Sequence, residues 1–143
     1  MEEKDRMRIF SKLDEMMGYV GELQGMLPER DEYLQDLISR RACEKTIEVA
    51  IESLVNVSAM IVSTEKLGLP TSEESIFDIL VLNKIMPKEC GEKLKDLKGF
   101  RNVLIHRYAH VADDIVHYNL INHLDDFYEF KSVIESYLEK HEH

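Results

Sequence analysis

Apolar residues recur along most of this chain at alternating steps of three and four positions, the spacing that places them on one face of an α-helix. Five such helical segments are expected, with no alternating strand pattern and no internal repeat. The first two are the longest, from about Asp5 to Leu27 and from about Glu32 to Lys66. With shorter segments packed across this pair, the sequence predicts an all-α, up-and-down antiparallel bundle of about five helices in one domain, residues 1–143.

Within three of these segments, the apolar positions also predict which side chains face the core. They are Ile9, Leu13, Met16, Val20, Leu23 and Leu27 in the first, Leu37, Ile47, Ile51, Leu54 and Ile61 in the second, and Ile121, Leu124, Tyr128, Ile134 and Leu138 in the last.

Signals that end and start helices separate the predicted segments. Gly68-Leu69-Pro70 is typical of a helix end, because glycine suits the C-terminal cap and proline cannot continue the helix. Thr71 followed by Glu74 fits a capping box that opens the third segment. The other signals are Pro28 with Glu29-Arg30-Asp31 after the first segment, Pro87 in the first turn of the fourth, and Asp113 or Asp114 as the cap of the fifth.

Composition narrows the class of protein. With 143 residues and 44% hydrophobic side chains, the chain is long enough and apolar enough for a packed core. No apolar run approaches the roughly 20 residues of a membrane-spanning helix, and the N-terminus does not resemble a signal peptide, so a cytoplasmic location is expected. Cys43 and Cys90 lie far apart without a CxxC spacing, which favours free thiols.

The formal net charge of −10 argues against a broad nucleic-acid surface, which would normally be basic. A small positive patch is nevertheless indicated, because Lys95, Lys98, Arg101 and Arg107 lie close together in the sequence. Such a patch would bind RNA weakly and selectively, or it would face an acidic partner.

The stretch from Arg101 to Tyr108 combines a permanent cation, an imidazole and a phenol within about two helical turns. Arginine stays charged at physiological pH, whereas histidine can accept and release a proton near neutrality. The pair is suited to cleaving an RNA phosphodiester without a metal ion. The guanidinium would stabilise the anionic phosphorane, and the imidazole would move a proton to or from the attacking 2′-hydroxyl or the leaving oxygen.

Arg101 falls in phase with the apolar stripe of the fourth segment, where an apolar residue would be expected. The members of that stripe are Leu94, Leu97, Leu104 and Tyr108. A charge at this position must pair, face a cleft or lie at a subunit boundary, because burying it alone is costly. The alternative to a functional role is a structural salt bridge to Glu44 or Glu48 of the second segment.

His106 lies about 140° around an ideal helix from Arg101 and ~7.5 Å along it. Both side chains would reach one phosphate only if the helix loosens near His106 or a second subunit completes the site. Asn102 is placed to fix the imidazole tautomer, and Gly99 leaves room for another helix or a ribose. A lone histidine in a helix is more often structural, and that interpretation stays open.

Tyr108 has two interpretations, a packing residue at the helix end or an exposed phenol that can be modified. A bulky anionic group on it would repel RNA. His106 and His110 have a spacing that can present two metal ligands, but no further histidine falls at an offset that completes a cage. No metal site and no cofactor is therefore predicted.

The motif resembles the Arg-x4-His-x-Tyr signature of the HEPN superfamily, and in particular that of HepT toxins from prokaryotic toxin–antitoxin pairs. In this chain it reads Gly99-Phe100-Arg101-Asn102-Val103-Leu104-Ile105-His106-Arg107-Tyr108. The similarity runs from about Arg41 through the fifth helix, and one departure is Asn56, where many relatives carry an acid. It includes Gly68-Leu69-Pro70, Leu94-Lys95-Asp96-Leu97 and the Val111-x-Asp113 opening of the last helix.

This resemblance implies a homodimeric helical bundle in which the arginine and histidine of both subunits line a central cleft. It implies metal-independent RNase activity, with Arg101 and His106 as catalytic residues. The implied partner is an MNT-type nucleotidyltransferase antitoxin encoded beside the toxin, which transfers AMP from ATP onto Tyr108 and silences the RNase. The alternative is a non-catalytic HEPN module in which Arg101 grips a nucleotide phosphate or an acidic protein partner.

Overall fold

The computed structural model describes residues 1–106 and 112–140, and within them the chain forms six α-helices and no β-strand. Arg107, Tyr108 and His110 lie outside the described residues. The helices are α1 (Glu3–Met26), α2 (Arg30–Gln35), α3 (Leu37–Thr64), α4 (Glu73–Leu82), α5 (Lys88–Ile105) and α6 (Asp113–Lys140). The all-α prediction is confirmed, with one helix more than expected.

The long helices alternate in direction around one apolar core. The Tyr128 hydroxyl of α6 donates to Gln24 of α1 at 2.9 Å, and His117 Nε2 lies 2.9 Å from the carbonyl oxygen of Pro28. Because the later residue of α6 contacts the earlier residue of this pair, α6 is antiparallel to α1. On its other side, the rings of Phe100 in α5 and His123 in α6 are 5.4 Å apart. Together with the Lys93–Glu129 ion pair, at 2.9 Å, this makes α5 antiparallel to α6 and gives the predicted up-and-down bundle.

The long second helix of the sequence prediction is wrong, because the chain breaks at Asp36. This residue is extended, with φ −114° and ψ 100°, and its carboxylate accepts hydrogen bonds from the amides of Ile38 and Ser39 at 3.1 and 3.2 Å. A hydrogen bond from the Ser39 hydroxyl also holds the pKa of Asp36 below its usual value. Asp36 therefore caps α3, and α2 is a separate short helix that buries Tyr33 against His117.

The cap of α4 also differs from the prediction. Ser72, not Thr71, is the capping residue: its hydroxyl accepts from the Ser75 amide at 3.1 Å, and the Ser75 hydroxyl accepts from the Ser72 amide at 3.0 Å. Glu74 lies one position too early for this reciprocal arrangement. Similarly, Pro87 immediately precedes α5, and Asp113 and Asp114 lie inside the first turn of α6, where negative charge is favourable, rather than at the capping position.

The core confirms most of the predicted apolar stripes, but not the first half of that on α6. Ile121 and Tyr128 are 49% and 45% exposed. The N-terminal half of α6 instead turns Val116 and Leu120 inward, because it packs against α1 and α2. The stripe of α3 holds except at its first residue, Leu37, which is exposed. The fully buried members of the predicted stripes include Ile9, Leu13, Met16, Val20, Leu23, Ile47, Ile51, Leu54, Ile61, Ile134 and Leu138.

Two features of the core bear on the predictions from composition. Cys43 and Cys90 are buried and free, as expected, and burial raises the pKa of each thiol to about 11. By length and composition, α3 is apolar enough to cross a membrane, which the sequence analysis did not flag. In this fold, however, 56% of its most apolar 18-residue window is buried against the other helices, as in the central helix of a packed core.

Candidate active site at the end of α5

Arg101 lies in the last turns of α5 on the same stripe as the buried Leu94 and Leu97, as its phase in the sequence predicted. Its side chain is only 13% exposed, and its Nη2 donates to Oε1 of Glu73 in the first turn of α4 at 3.0 Å. The predicted structural partner is therefore wrong. Glu44 pairs with Arg41 and Glu48 with Lys45, both within α3.

The Arg101–Glu73 contact is the last of three ion pairs that join α5 to α4. Lys98 Nζ lies 2.7 Å from Oε1 of Glu74, and Lys95 pairs with Asp78. The order of the partners makes the two helices antiparallel. We call these three contacts the α4–α5 ion-pair ladder.

The ladder changes the charge predicted for this surface. Of the cations expected to form a positive patch, Lys95, Lys98 and Arg101 face carboxylates of α4, and Arg107 lies outside the described residues. A hydrogen bond from Lys98 holds the pKa of the Glu74 carboxyl below its usual value. The Glu74–Lys98 contact therefore stabilises the fold at neutral pH and loses its charge only as the pH falls below the ordinary range of a glutamate. A basic patch is not present on the described part of this surface.

The guanidinium of Arg101 is held from one side. Glu73 engages Nη2, whereas Nε is buried and has no hydrogen-bond partner among the described residues. Arginine presents its donors in a fixed planar fork. With only Nη2 engaged in this contact, the guanidinium keeps donors for an anionic ligand.

His106 is where α5 ends. The helix runs to Ile105, and His106 departs from helical geometry with φ −106° and ψ 54° while its amide still donates to the Asn102 carbonyl at 2.9 Å. Its side chain is exposed. Arg101 and His106 were expected to reach one phosphate only if the helix loosens near His106 or a second subunit completes the site, and α5 stays helical from Arg101 to Ile105. The His106 amide keeps its helical bond to the Asn102 carbonyl, so the ideal-helix separation from Arg101 still applies at the His106 Cα, and completion of the site by a second subunit stays a prediction.

Gly99 and Asn102 lie on the last turns of α5. Gly99 is exposed, and a Cβ built on it would meet nothing within 4 Å. No neighbour among the described residues therefore requires a glycine here. Asn102 is half-buried and contributes the carbonyl that accepts from the His106 amide, whereas its predicted action on the imidazole stays a prediction.

Tyr108 and His110 fall outside the described residues, so their predicted roles are not placed by the structure. Among residues 1–106 and 112–140, no cluster of three or more His, Cys, Asp or Glu side chains could hold a metal ion. Asn56 is exposed and lines a depression of about 400 Å³ with Asp5, Arg8 and Lys12 of α1. None of the motif residues from Gly99 to His106 lines that depression.

Sequence reasoning missed Glu73, the residue that holds Arg101. The signal was present in two parts: Lys95, Lys98 and Arg101 recur at steps of three along α5, and the short segment before them carries Glu73, Glu74 and Asp78. Complementary charge on the two segments favours their packing together but does not identify the partner of Arg101. The direction of α4 relative to α5, which decides which carboxylate meets which cation, is a tertiary feature.

Comparison with known proteins places the chain among ribonucleases. The sequence profile of the family described as Ribonuclease HepT-like matches residues 13–134. The mRNA nuclease HepT of Shewanella oneidensis is 24% identical over 128 residues, which covers 90% of this chain and 96% of that protein. YutE of Bacillus subtilis is 27% identical over 130 residues, which covers 90% of this chain and 89% of YutE.

Solved structures show the same fold. A tri-AMPylated Shewanella oneidensis HEPN toxin in complex with an MNT antitoxin matches with a TM-score of 0.85 at 24% identity, over 95% of this chain and 99% of that one. YutE, described as a cytosolic protein, matches with a TM-score of 0.75 at 24% identity, over 92% and 91% of the two chains. The likeness extends over nearly the whole length of each chain.

Proposed function

The chain belongs to the HepT-like ribonuclease family, whose profile spans most of its length, and we propose that this RNase is the toxin of a prokaryotic toxin–antitoxin pair. We further propose that it cleaves RNA without a metal ion and acts in the cytoplasm. The observation that carries the proposal is the arrangement at the end of α5. Arg101 of α5 has guanidinium N–H groups that Glu73 does not engage, and His106 is exposed at the end of the same helix.

In the proposed reaction, the 2′-oxygen attacks the adjacent phosphorus and the bond to the 5′-oxygen breaks. The phosphorane formed on the way carries extra negative charge, which the Arg101 guanidinium would stabilise at short range. His106 would accept the 2′-hydroxyl proton or deliver a proton to the leaving oxygen. An exposed imidazole at a helix end is accessible to RNA from solvent.

A homodimer would bring two copies of this arrangement to one cleft. Val103 and Ile105, which lie between Arg101 and His106 on the last turn of α5, are 40% and 44% exposed. Exposed apolar side chains beside a polar site are typical of a surface that another protein covers. We propose that a second copy of this chain covers them, and that the close approach allowed by Gly99 is used there or by the RNA ribose.

The proposed partner is an MNT-type nucleotidyltransferase antitoxin. A Shewanella oneidensis toxin of the same fold is described as tri-AMPylated and in complex with an MNT antitoxin. Tyr108 is the tyrosine of the motif, and we propose it as the AMP acceptor in this chain. A nucleotide on this phenol would place an added phosphate beside the site and repel RNA.

The test is cleavage of tRNA and mRNA by the purified protein in EDTA. Arg101→Ala and His106→Ala should each lower the cleavage rate by roughly 100-fold or more, because each removes a group that acts on the reacting phosphate. Both variants should still form the dimer in light scattering. Lys93→Ala is the matched control, since it also removes one ion pair of α5 but lies two turns before the motif.

Three results would contradict the proposal. Intact RNA with the wild-type protein would favour the non-catalytic binding module, as would His106→Ala that cleaves as fast as wild type. Cleavage that occurs only when divalent metal is added back would contradict the metal-independent mechanism.

A further inference from the structure

We propose that Glu73 is a positioning residue that fixes the Arg101 guanidinium for the scissile phosphate. The inference rests on the proposed function, in which Arg101 contacts the reacting phosphodiester. Glu73 does not touch the RNA; it acts through its 3.0 Å contact with Arg101 Nη2.

Glu73 is itself held in place by the start of α4. It directly follows the capping residue Ser72, whose hydroxyl and amide are both engaged with Ser75. Phe77, one turn later, is fully buried in the core, and Ile76 is 7% exposed. The carboxylate therefore projects from a capped and anchored helix end, which is the kind of support that keeps a functional side chain in one orientation.

The contact leaves the guanidinium with unused donors. Only Nη2 is bonded to Glu73, and the buried Nε has no acceptor among the described residues. A buried donor without an acceptor is unfavourable in a folded protein. A phosphate oxygen is a suitable acceptor for the planar donor edge of an arginine.

The other two contacts of the ladder have no comparable role in orientation. Lys95 and Lys98 end in ammonium groups, compact charges whose donors rotate, so a carboxylate neutralises them without fixing a direction. Arg101 ends in a planar fork whose direction decides where its hydrogen bonds point. The Glu74–Lys98 pair is otherwise closely matched, since the Lys98 side chain is 12% exposed and that of Arg101 is 13% exposed.

This match makes Glu74→Ala the control for Glu73→Ala. Both changes remove a carboxylate from the first turn of α4 and break one α4–α5 ion pair, so both should lower the melting temperature alike. Glu73→Ala should lower kcat by roughly 10- to 100-fold, because a misdirected catalytic group costs about that much, with KM within about threefold of wild type. Glu73→Gln should restore most of kcat, because its amide oxygen can accept the same hydrogen bond. Glu74→Ala should stay within about twofold of wild type in kcat, since Lys98 needs no orientation.

A second measurement tests the orientation without relying on cleavage. The Nε–H signal of Arg101 is identified in ¹⁵N NMR spectra as the arginine signal missing from Arg101→Lys. We expect Glu73→Ala to change its chemical shift and speed its hydrogen exchange, whereas Glu74→Ala should leave it as in wild type.

The outcomes separate this inference from the proposed function. If Glu73→Ala and Glu74→Ala have equal kcat values and equal Arg101 signals, Glu73 only fastens α4 and the inference is overturned, even though Arg101→Ala is inactive. A rise in kcat for Glu73→Ala would likewise overturn it, because Glu73 would then compete with RNA. If Arg101→Ala cleaves like wild type, the proposed function fails, and the NMR signal alone decides whether Glu73 orients Arg101.

Discussion

Arg101 shows how a charged residue can occupy a position in an apolar stripe. Arg101 lies on the same face of α5 as the buried Leu94 and Leu97, and its guanidinium contacts the Glu73 carboxylate of α4. The cost of partial burial is offset by the carboxylate, and the placement leaves the charged group beside the exposed end of α5.

Gly99 gives a prediction at the same scale. Gly99→Ala should leave the fold as stable as wild type or up to roughly 1 kcal/mol more stable, because the new Cβ meets nothing in the subunit and alanine favours the helix. Cleavage should nevertheless fall by about tenfold or more if the added methyl group displaces the proposed second subunit or the RNA ribose. Thermal denaturation and a cleavage assay on the same sample measure the two effects.

Gly91→Ala is the opposite control. A Cβ there would lie 2.7 Å from Val81 Cγ2 of α4, so this variant should lose stability, by roughly 1–3 kcal/mol, yet cleave normally at temperatures where it is folded. Full RNase activity in Gly99→Ala would show that no close approach at Gly99 is used.

At the scale of helices, periodicity was sufficient to predict most of the chain, and the failures have local causes. A continuous apolar pattern does not reveal that Asp36 can bond the amides of Ile38 and Ser39 and so restart the helix. On α6, the sequence prediction placed Ile121 on the buried face, whereas the structure buries Leu120. Ile121 and Leu120 are adjacent in sequence, and only the packing of α6 on α1 and α2 decides that Leu120 faces inward.

The N-terminal cap of α4 is Ser72, whereas the sequence predicted Thr71. Ser72→Ala should lower the free energy of unfolding by about 1 kcal/mol, because its hydroxyl accepts the hydrogen bond of the Ser75 amide. Thr71→Ala should change it by less than about 0.5 kcal/mol, the usual effect of an exposed surface substitution. Urea denaturation of both variants distinguishes them, and equal losses would contradict the observed cap.

On the scale of the whole molecule, the sequence was sufficient for the fold class and, through the resemblance, for the family. The candidate site was only partly predictable. Arg101 and His106 could be selected from residue chemistry and phase, whereas their meeting at one phosphate stays a prediction. Glu73 could not be selected, because its contact joins residues 28 positions apart and depends on how α4 lies along α5.

A prediction at this scale concerns the proposed antitoxin. Tyr108→Phe should keep its RNase activity but escape silencing by the nucleotidyltransferase and ATP, because phenylalanine has no hydroxyl to accept AMP. Mass spectrometry of the intact chain and a cleavage assay measure modification and silencing. Tyr118→Phe is the control, since Tyr118 is a tyrosine of α6 that is 67% exposed and lies outside the motif. The idea fails if Tyr108→Phe is modified and silenced like wild type.

The α4–α5 ion-pair ladder has a consequence for how this molecule meets its substrate. A nuclease with unpaired surface cations attracts polyanions at long range. Here the net charge is −10, and Lys95, Lys98 and Arg101 of α5 are paired with carboxylates of α4. Long-range attraction therefore contributes little to capture. We therefore expect access to the end of α5 to matter more than charge for which RNA molecules the proposed RNase cuts.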